Sequence, residues 1–320
     1  MAQRLERHQV AVYVGAIVAG VATGWLAPVL GPGLERVINP VLGALLYVTF
    51  LQVPAKDLLR SARDSRFLAA ALAVNFVVVP LVVAAMFTFL PADQAVRTGV
   101  LLVLLAPCVD YVIVFSGLAG GSSERLLAAT PLLLIAQMLL LPVFLLVFLG
   151  SDLADVVEVR PFAEAFIVLI VIPLALAWAT QAWAARQRAG ALVSHAMAAV
   201  MVPLMAATLF VVVGSQVPKL GDDATEVAAV VPFYVLFLVV MAFAGWGVAR
   251  LFRLDPAAGR AVVFTGATRN SLVVLPLALA LPDRLSVAAA VVVTQTLVEV
   301  VGMVAYVRLV PRLLPAGAAL

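Results

Sequence analysis

Apolar runs of roughly 20 residues recur along the chain, with short polar stretches between them, and a run of that length crosses a bilayer as one α-helix. The pattern predicts ten spans, over 10–28, 39–55, 67–90, 98–118, 126–149, 162–184, 194–214, 227–249, 257–281 and 286–310. The connections are short. Even the most polar of them, 54–66, 150–160 and 214–226, are too brief for a separate soluble domain. The first run begins near Val10 and is followed by further spans, so it reads as a retained helix and not as a cleaved signal. The expected fold is an all-α polytopic membrane protein embedded in the lipid bilayer.

Two spans are interrupted. The fourth holds Leu104-Leu105-Ala106-Pro107-Cys108-Val109-Asp110-Tyr111, with apolar sequence on either side. Proline removes a backbone donor and clashes with the preceding turn, so a helix through Pro107 must kink or break. A carboxylate at that depth marks a functional-site candidate. A repeat accompanies the break: Gln52-Val53-Pro54 at the end of span 2 recurs as Gln216-Val217-Pro218 at the end of span 7, an offset of 164. Five spans is an odd number, so a second copy of the unit enters the membrane upside down. The expected organisation is two five-helix inverted repeats, 1–160 and 161–320, an architecture of many secondary transporters. Span 9 should then be interrupted where span 4 is. It reads Phe264-Thr265-Gly266-Ala267-Thr268-Arg269-Asn270-Ser271, with Gly266 opening the break and Pro276 beyond it. Paired interruptions of this kind point to a substrate site near the midplane.

Composition and charge refine the picture. Hydrophobic residues make up 65% of the chain and charged ones only 12%, where a soluble domain carries about a quarter. With the N-terminus in the cytoplasm, fourteen Lys and Arg fall in cytoplasmic segments, five fall outside and Arg269 lies within a span. That asymmetry places both termini of a multi-pass protein of the cell inner (plasma) membrane in the cytoplasm. A net charge of +3 distributed in this way does not indicate nucleic acid. One cysteine excludes an internal disulfide, and His8 and His195 lie near span ends, which leaves no metal site and no cofactor site in view. No plausible nucleophile–base pair is present, so an enzyme is not expected.

The residues that could carry chemistry cluster at the breaks. Cys108 directly follows the breaking proline. It is either a small packing residue or a soft donor at the start of a half-helix, suited to a thiophilic substrate. Asp110 and Arg269 are the charges of the two breaks. They either neutralise each other as a structural pair or contact substrate. In span 10, Gln295, Glu299 and Gly302 share one helical face. An interior carboxyl there either carries a proton or stays neutral and hydrogen-bonded. Gln137 is a non-titrating counterpart at the equivalent place in the first repeat. Asn75 and Gln52 are read as bonding a neighbouring backbone and nothing more.

With Ala106-Pro107-Cys108 in span 4, Asn270 after the second break and Leu297-Val298-Glu299-Val300 in span 10, the chain resembles the arsenite-efflux permeases of the arsenical-resistance family. These belong to the bile acid:sodium symporter superfamily, and the resemblance covers essentially the whole chain. It implies that broken helices 4 and 9 cross and that Cys108 and Glu299 serve transport. The implied activity is proton-coupled efflux of arsenite, with antimonite as a related substrate. Val109-Asp110-Tyr111 stands where that family has small uncharged residues, and Arg269-Asn270 where it has paired asparagines. Against the sodium-coupled branch, the pattern Glu, Gly and Gln-Asn appears here as Thr265, Ala267 and Arg269-Asn270. A fixed cation stands where sodium ligands are expected, which argues against sodium coupling at this position. The alternative expectation is an organic-anion carrier, for a bile-acid-like molecule or a small carboxylate, held by Arg269 and the half-helix N-termini.

Overall fold

The computed structural model describes residues 9–51, 64–108, 111–150, 164, 167–220 and 224–315. Its helices are α1 (Gln9–Leu26), α2 (Gly31–Leu51), α3 (Ser65–Phe87), α4 (Gln94–Leu104), α5 (Tyr111–Leu118), α6 (Ser123–Leu149), α7 (Ile172–Ala184), α8 (Arg188–Leu220), α9 (Ala224–Leu251), α10 (Pro256–Ala267), α11 (Ser271–Leu279) and α12 (Val287–Leu313). Among the described residues there is no β-strand, and six helices are long and apolar enough to cross a membrane. The protein is an all-α polytopic membrane protein.

Local chemistry explains where the helices start and bend. Asp64, Asp93 and Asp255 each accept a main-chain N–H three residues on, and so cap α3, α4 and α10. Arg125, in the first turn of α6, reaches the capping carboxylates of both Asp64 (3.0 Å) and Asp255, tying three helix starts together. Burial pushes the Asp255 carboxyl up, but the Ala258 N–H and the Arg125 guanidinium outweigh it and hold the group below its ordinary value. α3 carries a π-turn over Val74–Val78, in which Val79 donates to Val74, immediately before Pro80. A second π-turn, Ile167–Val171, precedes Pro173 in the same way. Proline cannot donate to the ladder, and a widened turn accommodates the gap.

Two helix ends extend beyond the apolar pattern. α2 begins at Gly31, although the apolar run begins near 39, and α8 continues to Leu220 through the stretch expected to be a connection after 214. The limit of hydrophobicity marks the edge of the apolar environment, whereas the main-chain ladder continues into the polar layer. Ser215 and Gln216 are accordingly buried helical residues. The expected loops 54–66 and 150–160, and Gln52, lie largely or wholly outside the described residues.

The helices pack as two groups, α1, α2, α7 and α8 in one and the rest in the other. In the first, Gly20 and Gly24 present a small-xxx-small stripe to α8. A Cβ on Gly24 would stand 2.8 Å from the Val217 Cβ and 2.9 Å from the Gly214 carbonyl oxygen. Polar bonds add to it: Tyr47 meets Thr180 at 3.0 Å, and the Gln181 amide donates to the carbonyls of Phe50 and Leu51. In the second group α4 lies against α12 closely enough that a Cβ on Gly99 would stand 2.8 Å from the Ala288 carbonyl oxygen. The groups touch where α8 meets α12 and where α2 meets α11.

Gly24→Val should wedge α1 off α8 and lower stability by about 1–3 kcal/mol, the usual cost of overpacking. Thermal unfolding in detergent measures it, and Val217→Ala in the same chain should recover part of the loss. An unchanged midpoint for Gly24→Val would mean that the two helices do not pack through this stripe.

Candidate functional site

α4 ends at Leu104, and 105–108 leave the helix before α5 resumes at Tyr111. Likewise α10 ends at Ala267, Thr268 is extended (φ −86°, ψ 137°), and α11 starts at Ser271. The two interruptions meet as an antiparallel bridge between Pro107 and Arg269. The Cys108 N–H donates to the Thr268 carbonyl at 3.2 Å, and the Asn270 N–H to the Ala106 carbonyl at 2.8 Å. The bonds flank the facing pair, so Pro107 sits at the one place in the bridge that requires no donor. Main-chain groups released by a broken helix have no water to turn to inside a bilayer. Each break satisfies the other.

Arg269 closes the remaining gaps. Its side chain is completely buried, and Nη2 donates to the carbonyls of Thr265 (2.7 Å) and Gly266 (2.8 Å) and to Asn75 Oδ1 (2.8 Å). Nη1 donates to the Leu104 carbonyl at 3.2 Å, and the guanidinium lies over the Phe237 ring at 5.6 Å. The three carbonyls belong to the last turns of α4 and α10, where a helix leaves acceptors unfilled and carries its negative pole. One cation therefore caps two helix C-termini. Asn75, on the π-turn of α3, is oriented by its own amide, which donates to the Ala71 carbonyl and to Thr265 Oγ1.

Glu299 of α12 faces the same crossing and is fully buried. Its Oε2 accepts the main-chain N–H of Arg269 at 2.8 Å and also the Gln295 amide, and its Oε1 accepts the Tyr111 hydroxyl at 2.6 Å. Three donors thus converge on one carboxyl group. Asn270 caps α11 through the Val273 N–H (3.3 Å) while its Nδ2 is buried with no partner. Cys108 is a buried thiol, 1% exposed. Thr296 donates to Ser271 at 2.6 Å and fastens the start of α11 to α12.

The structure therefore brings Pro107, Cys108, Arg269, Asn270 and Glu299 together. Gly266 lies in the last turn of α10, and the interruption begins after it. Its carbonyl serves Arg269, and a Cβ there would stand 2.7 Å from Val74 Cγ2. Asp110 lies outside the described residues, and with it the choice between a pair with Arg269 and a contact to substrate. Gln295 and Glu299 share a helical face and bond, whereas Gly302 packs under Leu238 of α9. Gln137 is buried on α6, and its Oε1 has no hydrogen-bond partner among the described residues. Asn75 does more than bond its neighbour, and Tyr111 is a direct partner of Glu299. The signals were an asparagine inside an apolar run five residues before a proline, and a tyrosine at the first position after the break.

Buried polar side chains gathered where two interrupted helices cross, in a polytopic helical protein, have the build of a membrane transporter. The chain belongs to the Sodium Bile acid symporter family, which it matches over residues 39–222, more than half of its length. It is a multi-pass membrane transporter of that superfamily, with a small molecule as its substrate. The matched stretch contains Pro107 and Cys108 and ends before the second break, so Arg269, Asn270 and Glu299 are placed by the geometry alone. No curated protein matches the chain.

Arg269→Met should leave three main-chain carbonyls and Asn75 without their shared donor. Unsatisfied buried polar groups cost about 1–3 kcal/mol each, so the loss of stability in detergent should exceed that of Asn75→Ala, which takes from the guanidinium only one of its four acceptors. A chain carrying Arg269→Met that unfolds at the parent temperature would show that the guanidinium does not hold the crossing.

Proposed function

We propose that the protein is a secondary active transporter that exports arsenite, As(OH)3, in exchange for protons, with antimonite as the related substrate. In this reading the chain crosses the plasma membrane ten times, as inverted five-helix repeats over 1–160 and 161–320, with both termini in the cytoplasm. Support for the repeat comes from the paired interruptions: α4/α5 and α10/α11 are each split in the middle of one pass.

The observation that carries the substrate assignment is the engagement of Arg269. Both terminal nitrogens of its guanidinium are taken by carbonyls and Asn75, and Nε alone is left without a partner, so most of the cation's donors are committed to the scaffold. Beside it the crossing holds a buried thiol, Cys108, and an amide donor, Asn270 Nδ2, that has no partner. A neutral thiophilic hydroxide suits these groups better than an organic anion does. The Cys108 thiol displaces one hydroxide of As(OH)3: an S–As bond forms, an As–O bond breaks, and the thiol proton leaves with the hydroxide as water. Water reverses the step on the other side. A single thiol gives a single As–S bond, so the cargo is released and not trapped. Glu299, linked through Tyr111 and the Arg269 N–H to both breaks, is the proton carrier, and the guanidinium among the carbonyls supports coupling without sodium.

Everted vesicles supplied with a proton gradient should take up arsenite, and a protonophore should stop them. Cys108→Ser and Glu299→Gln should each abolish gradient-driven uptake with the protein still folded and inserted. Uptake of organic anions in place of arsenite, indifferent to Cys108→Ser, would overturn this assignment and favour the organic-anion carrier. Sodium-driven uptake insensitive to the protonophore would overturn the coupling.

A further inference from the structure

A groove of about 860 Å³ runs between α9 and α12, and neither Glu299 nor any residue of α4 or α5 lines it. Its walls are aliphatic and aromatic apart from Tyr306, whose hydroxyl donates to the Leu238 carbonyl, and Arg312. Val235, Val239, Phe243, Val301 and Leu309 are 48–73% exposed, so the floor and rims are uncovered apolar surface. Arg312 lies in the last turn of α12 and makes no ion pair among the described residues. Arg250, in the last turn of the neighbouring α9, stacks on Trp246 at 4.6 Å. The passage α10–α11 between them makes α9 and α12 run in the same direction, so both arginines lie toward the same end of the helix pair, and of the two Arg312 lines the groove.

We infer that this groove binds one anionic phospholipid, its acyl chain lying between α9 and α12 and its phosphate meeting Arg312. The charge at the Arg312 end fits a phosphate, for which arginine offers a planar pair of donors. Basic pockets between transmembrane helices are sites of this kind. Length agrees as well. The part of α12 that lines the groove, 297–313, rises about 24 Å at 1.5 Å per residue, more than half of a hydrocarbon core of about 30 Å. A chain descending from a headgroup beside Arg312 is accommodated over its full depth. A lipid seated there braces from outside the helix that carries Glu299 on its inner face. A second copy of this chain would cover the same apolar surface without any need for Arg312.

The purified full-length chain in neutral detergent, mixed with phosphatidylglycerol or with phosphatidylcholine of the same acyl chains, distinguishes these cases. Phosphatidylglycerol should raise the thermal midpoint and remain bound in native mass spectrometry, and phosphatidylcholine should do less of both. Arg312→Gln should erase the difference between the lipids while leaving the midpoint in detergent alone unchanged. Ala305→Trp, which fills the groove, should expel the retained phosphatidylglycerol. Equal responses to both lipids, or a preference that survives Arg312→Gln, would overturn the inference. So would an Ala305→Trp chain that keeps its lipid but separates from a dimer into monomers, since the groove would then hold a second copy. None of these readouts depends on transport, so the inference stands or falls apart from the arsenite assignment.

Discussion

Main-chain polar groups inside a bilayer need partners from within the protein, and every other feature of the site follows from how this chain meets that requirement at two broken helices. The breaks at Pro107 and Arg269 supply partners to each other through two main-chain bonds, and the Arg269 side chain takes the carbonyls left over at the ends of α4 and α10. A buried arginine is normally expensive. Here its charge lies at two negative helix poles and four acceptors surround it, so the cost of burial is offset where the charge is required. The bridge also decides which neighbouring atoms face inward: Cys108, Asn270 and the Arg269 N–H all follow from its register.

Glu299 depends on that register in turn. It takes an N–H from one break and the Tyr111 hydroxyl from just beyond the other, so one carboxyl group on α12 senses both interruptions. Its two oxygens thereby join the breaks to α12 through side-chain and main-chain donors. Around this centre the packing is tight where backbones must approach, as at Gly99 against α12 and Gly266 against α3. The helices α1, α2, α7 and α8 form a separate group that meets the site-bearing group along α8 and α2.

Much of this was legible in the chain. Apolar runs located the helices, and Pro107 and the polar string 265–271 located the two interruptions without any contact information. Gln295 and Glu299 followed from helical spacing. What could not be read was the partner of each polar group. Asn75 and Arg269 are far apart in sequence, and the amide that meets the guanidinium stands on the π-turn ahead of Pro80, a local response to a missing donor. The extensions of α2 and α8 were hidden for a different reason: hydropathy reports the apolar layer, and helices continue past it. Arg269 stood out as a charge inside a span, but its role as a cap for two helix ends required the crossing itself.

The proposed function is exchange of a neutral arsenic hydroxide for protons at this crossing. Proteoliposomes loaded with arsenite and a trapped pH indicator, diluted into arsenite-free buffer of the same pH without sodium, test that exchange directly. Arsenite leaving down its gradient should draw protons in and acidify the lumen, and Glu299→Gln should remove the signal. Arsenite efflux with no change in luminal pH, or no protein-dependent arsenite efflux at all, would contradict it.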